Sequence, residues 1–179
     1  MPKVVRKLFH VGTLHTISFA VEADGVTSPA EDALKLMLTG MWAADPEAAK
    51  EGLPSDTQID RRAQLVAGIK YFARHGVPSQ RSCGVNALQS GIWEFKEGQK
   101  RVSFFDTDGH GSFTEKRKFK NPALADYPND PHWDIPGFDQ DIRLGHCFGK
   151  PWGQRTTEQE DLDETIRVRE EDLSHDRAA

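Results

Sequence analysis

Between residues 7 and 21 (KLFHVGTLHTISFAV) branched and aromatic residues fall in partial alternation with polar ones, and Gly25 closes the run, which predicts an opening strand. Ser28, Pro29 and Glu31 then fit a helix start: a hydroxyl to cap, a proline in the first turn and a carboxylate placed to reach back. Leu34, Met37, Leu38 and Met41 follow at helical spacing and predict one buried face. Residues 45–53 carry proline, glycine and charge and read as a connector, after which residues 55–58 repeat the capping pattern. Ile59, Val66, Ile69, Phe72 and Ala73 form the apolar stripe of a longer helix, which Gly76 and Pro78 end.

The period then drops to two. Residues 92–96 and 101–106 are short β-type runs, and residues 97–100 between them read as a hairpin turn. Trp93 and Phe95 share one face of the first run, and Val102 and Phe104 one face of the second; the opposite faces present Glu94, Lys96, Arg101 and Ser103. Residues 107–140 are rich in Asp, Pro, Gly and Asn, with isolated aromatics such as Trp133 and Phe138, and are too long for an ordinary connection. They are expected to be a functional insertion or a lid. Residues 142–148 resume a strand with Ile142, Leu144 and Phe148 on one face, and residues 157–160 offer a third capping pattern. Leu162, Ile166 and Leu173 then give a sparse apolar stripe to a very polar terminal helix. No internal repeat or low-complexity tract interrupts the order.

A chain of 179 residues normally forms one domain around one core, so residues 1–179 are expected to be a single domain. The hydrophobic share of 37% suffices for a core, while 28% charged residues leave polar surplus for loops or tails. No apolar run approaches the length that spans a bilayer, and the first residues lack the pattern of a secretory signal, so a cytoplasmic protein is expected. Cys83 and Cys147 stand far apart with no CxxC pattern, which suits two buried thiols in a reducing compartment. The net charge of -5 is unevenly placed: residues 156–179 hold nine acidic side chains against Arg167, Arg169 and Arg177. The remaining body is therefore near neutral, and the end of the chain is an acidic helix or tail.

Several local patterns are rejected on their context. Residues 104–109 read as an apolar strand ending in Asp-x-Asp-Gly, as in the nucleophile loop of haloacid-dehalogenase-type phosphatases. Those enzymes need that strand early in a long doubly wound domain, whereas here two helices precede it and little chain follows. The same stretch approaches a calcium loop, but His110 occupies a ligand position and Arg117 falls where the closing glutamate should stand; a solvated turn fits better. The seven histidines lack the paired spacing of a zinc site, and neither cysteine sits where its pKa would fall. No metal and no cofactor is expected.

The segments GIWEFK (residues 91–96), KRVSFF (residues 100–105) and LGHCFGK (residues 144–150) resemble the strand signatures of RelE/HigB-type toxins, including their phage-derived branch. Residues 88–96 follow the pattern Leu-x-x-Gly-apolar-Trp-Glu-apolar-basic, and residues 148–150 a Phe-x-Lys ending. The resemblance implies an α+β fold with two N-terminal helices packed on an antiparallel β-sheet, a long insertion between strands and a C-terminal helix. It also implies the toxin component of a type II toxin–antitoxin system, a metal-independent mRNA endonuclease acting on free or ribosome-bound message. Its partners would then be mRNA and a helix-turn-helix antitoxin. The sequence departs from the pattern in a lysine at residue 96, in a single lysine after Phe148, in the insertion at 107–140 and in the acidic end.

Metal-free RNA cleavage requires a ribose hydroxyl to lose its proton while cations stabilise charge growing on the phosphate. By strand alternation Lys96 and Arg101 share the non-aromatic face of the hairpin, Arg143 the corresponding face of the next strand, and Lys150 stands at a strand end. Arg101, Lys96, Lys150 and His146 are accordingly the catalytic candidates, and Arg143, Lys100 and Arg155 the RNA-binding ones. His146 suits proton transfer because a free imidazole titrates near neutrality. Strict alternation nevertheless places it beside Leu144 and Phe148, facing the core, unless Gly145 or Gly149 introduces a bulge. The competing expectation is a non-catalytic phage- or prophage-derived interaction module on the same fold, which the near-neutral body favours.

Overall fold

The computed structural model describes residues 3–42, 56–79, 83–149 and 159–179. The chain opens with a hairpin of β1 (Leu8–Val11) and β2 (Thr16–Phe19), followed by α1 (Pro29–Met37) and α2 (Asp56–His75). Next come β3 (Gly84–Ala87), β4 (Trp93–Glu97), β5 (Lys100–Thr107) and β6 (Asp141–Gly149), and α3 (Gln159–Arg177) ends the order. The strands form a six-stranded sheet in the order β1-β2-β6-β5-β4-β3. The fold is thus α+β, but with two differences from the expected arrangement. Two strands, not one, precede the helices, because residues 12–15 turn the chain back on itself. The sheet is mixed, because β2 and β6 run parallel while every other neighbouring pair is antiparallel.

Period-two alternation divides the sheet between two apolar layers. Ile17, Phe19, Trp93, Phe95, Val102, Phe104, Ile142 and Leu144 point to one side. There they meet Ala30, Ala33, Leu34 and Met37 of α1 and Leu65, Ile69, Phe72 and Ala73 of α2. The helix stripes are close to those expected, although Leu38 and Ile59 are exposed. Ser28 makes no side-chain capping bond; Glu31, placed to reach back to it, instead takes Lys7 and Lys35 at 2.9 and 2.6 Å. Of the other two capping patterns, Ser55 and Thr157 lie outside the described residues.

The opposite face is also covered. Ala20, Ile92 and Phe105 pack against Leu162, Val168 and Leu173 of α3, so the C-terminal helix lies on the sheet as a second layer. Every residue of β5 is consequently buried, including the polar ones. The β4–β5 turn is tighter than the sequence suggests: Glu97 pairs with Lys100, leaving Gly98 and Gln99 as a two-residue loop. Gly98 takes a φ of 56°, which its lack of a Cβ permits.

Residues 108–140 contain a short 3-10 turn at Pro122–Leu124 and no strand. They are tied to the sheet by Ile135 and Phe138 in the first apolar layer, and by the Trp93 indole N–H, which donates to the Lys116 carbonyl at 3.1 Å. At their start, the Asp108 carboxylate accepts the backbone N–H groups of His110 and Ser112, closing a turn where the calcium-loop pattern lay. No described helix is long and apolar enough to cross a membrane.

Candidate functional site

The face beneath α3 is where the candidate cations were expected to gather, and a β-bulge decides what stands there. Val102 pairs with Cys147 but Phe104 pairs with Leu144, so Ser103 faces two residues of β6, Gly145 and His146. The extra residue reverses the alternation. Cys147 enters the α1/α2 layer, and His146 moves to the α3 side. The His146 N–H donates to Ser103 Oγ at 2.9 Å, and Ser103 Oγ lies 2.9 Å from Thr165 Oγ1 of α3. A Cβ on Gly145 would stand only 3.3 Å from Ser103 Oγ and 3.4 Å from the Thr165 methyl, so glycine suits this crossing. His146 Nε2 lies 3.3 Å from Asp161 Oδ1, and its ring stacks on Phe148 with centroids 5.7 Å apart.

Arg101 stands opposite both Lys96 and Phe148 in the pairing register. Its Nη1 donates to the Gly98 and Lys100 carbonyls at 2.7 and 3.0 Å, so the guanidinium turns back toward its own hairpin. Its Nε lies 3.4 Å from Glu94 Oε1, which also accepts from Asn86 Nδ2 at 3.3 Å. Burial is the largest influence on Arg101 and lowers its pKa, while the Glu94 carboxylate opposes that shift. Glu94 is fully buried, and its second oxygen has no hydrogen-bond partner. Lys96 lies over β3: a Cβ on Gly84 would lie 2.6 Å from Lys96 Cε. Both cations lower the pKa of the Cys83 thiol, against the larger effect of its burial.

Two other candidates are engaged elsewhere in the fold. Lys100 alternates with Arg101 and so faces the α1/α2 side, fully buried, with its ammonium 5.8 Å from the centre of the Trp42 ring. It cannot share a site with Arg101. Arg143 does lie on the α3 face, but its Nη1 sits 2.6 Å from a carboxylate oxygen of Asp172 and 2.6 Å from one of Asp176. The same two carboxylates take Arg6 at 2.7 and 3.0 Å. Asp172 also accepts the Val21 N–H at 2.9 Å. Two arginines and two aspartates thus form a buried network, with Arg143 used to seat α3. Lys150 and Arg155 lie outside the described residues.

Sequence alternation located the faces of Glu94, Lys96, Arg101 and Arg143 but missed Asp161, Thr165, Asp172 and Asp176. Those four recur at helical spacing on one side of a polar helix, and that spacing was the available signal. Burial pushes the Cys83 thiol up to about 12 and raises Cys147 as well, so both are inert buried thiols. Among the described residues no group of three or more His, Cys, Asp or Glu side chains is gathered as metal ligands would be.

Set against known proteins, the chain matches no protein-family model, no curated protein and no solved structure. The class its fold defines is α+β, a mixed six-stranded sheet with helices on both faces.

Proposed function

We propose that this protein is a non-catalytic interaction module, with the strand and helix frame that its signatures share with RelE/HigB-type toxins. One observation carries this reading: the carboxylates of α3 occupy Arg143, the arginine best placed to meet a phosphate on that face. An arginine whose Nη1 is held by two buried carboxylates has its charge cancelled, so it offers an RNA backbone little attraction. Arg101, 9% exposed and bonded to its own hairpin, is similarly committed.

A second reading rests on the bulge. It brings His146 to the α3 face beside Asp161, and a carboxylate that orients an imidazole is what a proton-transfer residue uses. In that reading the protein is the toxin-type mRNA endonuclease, metal-independent, with His146 moving the proton and Arg101, Lys96 and Lys150 supplying positive charge. It would act on free or ribosome-bound message and be silenced by a helix-turn-helix antitoxin.

Expression of the full chain in a bacterial host, with RNA binding measured as salt is varied, separates the two. The module predicts normal growth and no steeply salt-dependent RNA affinity. Growth arrest with message cleavage, abolished by His146→Ala and by Arg101→Lys in variants that remain folded, would overturn it in favour of the endonuclease.

A further inference from the structure

The sheet ends at β1, whose only strand neighbour is β2, so its outer row of peptide groups has no strand partner among the described residues. Such an edge is a template for another extended chain. Gly12 N–H donates to the His15 carbonyl, and Val11 next to it faces Thr16. By antiparallel alternation the peptide groups of Val11 therefore point outward.

The two sides of this edge differ chemically. Leu8 and Val11 stand opposite Ser18 and Thr16, on the α3 side of the sheet, and are 60% and 61% exposed. Val5, just ahead of them, is 88% exposed. His10 stands opposite Ile17, on the α2 side. There it feels the charges of Lys70 and Arg74, which after burial are what lower its pKa. Lys70 and Arg74 are exposed and form no ion pair among the described residues. One flank of the edge is thus apolar and the other cationic, on a chain whose net charge is -5.

We propose that β1 is a docking edge for an extended segment of a partner protein in which acidic and apolar residues alternate. Its acids would face Lys70 and Arg74, and its apolar side chains would lie against Leu8 and Val11. Alternation is required because successive side chains of an added strand fall on opposite faces of the sheet. A second copy of this chain fits less well. Antiparallel pairing of two β1 strands about a two-fold axis keeps like faces together, and would bring each copy's His10, Lys70 and Arg74 toward the other's. Beyond Val11 the edge leads to Leu14, 41% exposed, and to a hollow of about 380 Å³ lined by Tyr71, His75 and Tyr127. A longer segment could seat an apolar side chain there.

The inference deepens the interaction-module reading and rests on it only in supposing that a partner exists. Growth and RNA measurements do not involve β1, so either proposal can fail alone. The probe is a fluorescein-labelled hexapeptide alternating glutamate and valine, titrated against the full chain, with a lysine–valine hexapeptide as its counterpart. The glutamate peptide should bind saturably, more weakly as salt is raised, with backbone amide shifts centred on residues 7–12. Lys70→Glu with Arg74→Glu should weaken it about tenfold or more and reverse the preference between the peptides. Leu8→Ser with Val11→Ser should weaken it comparably. All four positions are exposed, and an unchanged thermal transition would show that the variants fold. A dissociation constant weaker than about 1 mM, equal binding of both peptides, or indifference to the charge reversal would overturn the proposal. So would self-association of the chain that Leu8→Ser with Val11→Ser abolishes, since that makes a second copy the occupant.

Discussion

Asp106 is a carboxylate in the wrong solvent. It is 1% exposed near the end of the buried strand β5, and burial raises its pKa, an effect that the backbone N–H of Asp139, donating at 2.8 Å, only partly opposes. A group whose folded pKa stands above its unfolded one is protonated more readily in the native state, so its ionised form at neutral pH lowers stability. Asp106→Asn keeps an oxygen to accept the Asp139 N–H and removes the charge. The urea midpoint of this variant should exceed that of the parent at pH 7, and the difference should begin to shrink as the pH is lowered through the folded pKa and vanish by the unfolded value of about 3.8, below which the parent is neutral in both states. A midpoint unchanged at pH 7 would mean that the site is better hydrated than its burial indicates. Alternation alone placed Asp106 on the α1/α2 face, but its burial depends on Phe138 and the 108–140 segment, a tertiary fact without a local signature. His146 shows the same limit. The glycine beside it marked a possible bulge, and only the Ser103 contact from another strand realises it.

At the scale of the element, α3 illustrates how a helix with a weak apolar stripe can still be fully docked. Leu162 and Leu173 were legible from their spacing, while Val168 and the buried Thr165, Arg169, Asp172 and Asp176 were not. The reason is distance along the chain: Arg6, which binds Asp172, precedes it by 166 residues. Polar bonds run the length of the helix. Asp161 meets His146, Arg169 lies 3.9 Å over the Phe113 ring, His175 Nε2 lies 2.8 Å from the Glu22 carbonyl, and Arg177 donates to the Gly111 carbonyl at 2.8 Å. Breaking a buried ion network by removing one partner strands the others, at a cost of about 3–5 kcal/mol. Asp172→Ala should lose stability on that scale in urea denaturation. It should lose more than Asp176→Ala, because Asp172 alone also holds the Val21 N–H. Equal losses would show that the backbone bond adds nothing. The acidic end of the sequence, expected as a tail or helix of uncertain role, is thus a structural layer whose charge is largely spent internally.

For the molecule as a whole, the response to acid should be governed first by histidine. His15 is 4% exposed and stacked on Phe72, and burial lowers its pKa against the opposing backbone bonds of Asp139 and Gln140. Its Nε2 has no partner, so protonation places an unpaired donor and a charge in the core. Because the unfolded chain takes up this proton near the ordinary imidazole value of 6.5 and the folded chain does so only at lower pH, stability should decline as pH falls below about 6.5. Denaturation midpoints between pH 7 and 5.5 should therefore slope downward, and His15→Asn should flatten the slope whatever it does to the absolute stability. His10, also lowered, leaves a residual slope. A parent protein with no slope in this window would mean that His15 is hydrated.

The parallel pairing of β2 with β6 has a consequence for how the chain comes into being. Thr16 through Phe19 are synthesised early, yet their neighbours on one side, Asp141 through Leu144, emerge some 125 residues later. Closing so long a loop costs entropy that no local contact repays, so β1 and β2, made before the rest of this sheet, should be among the last to find their seats. Until then the nascent hairpin presents two unsatisfied edges, and whatever shields it in that interval acts before the native sheet exists.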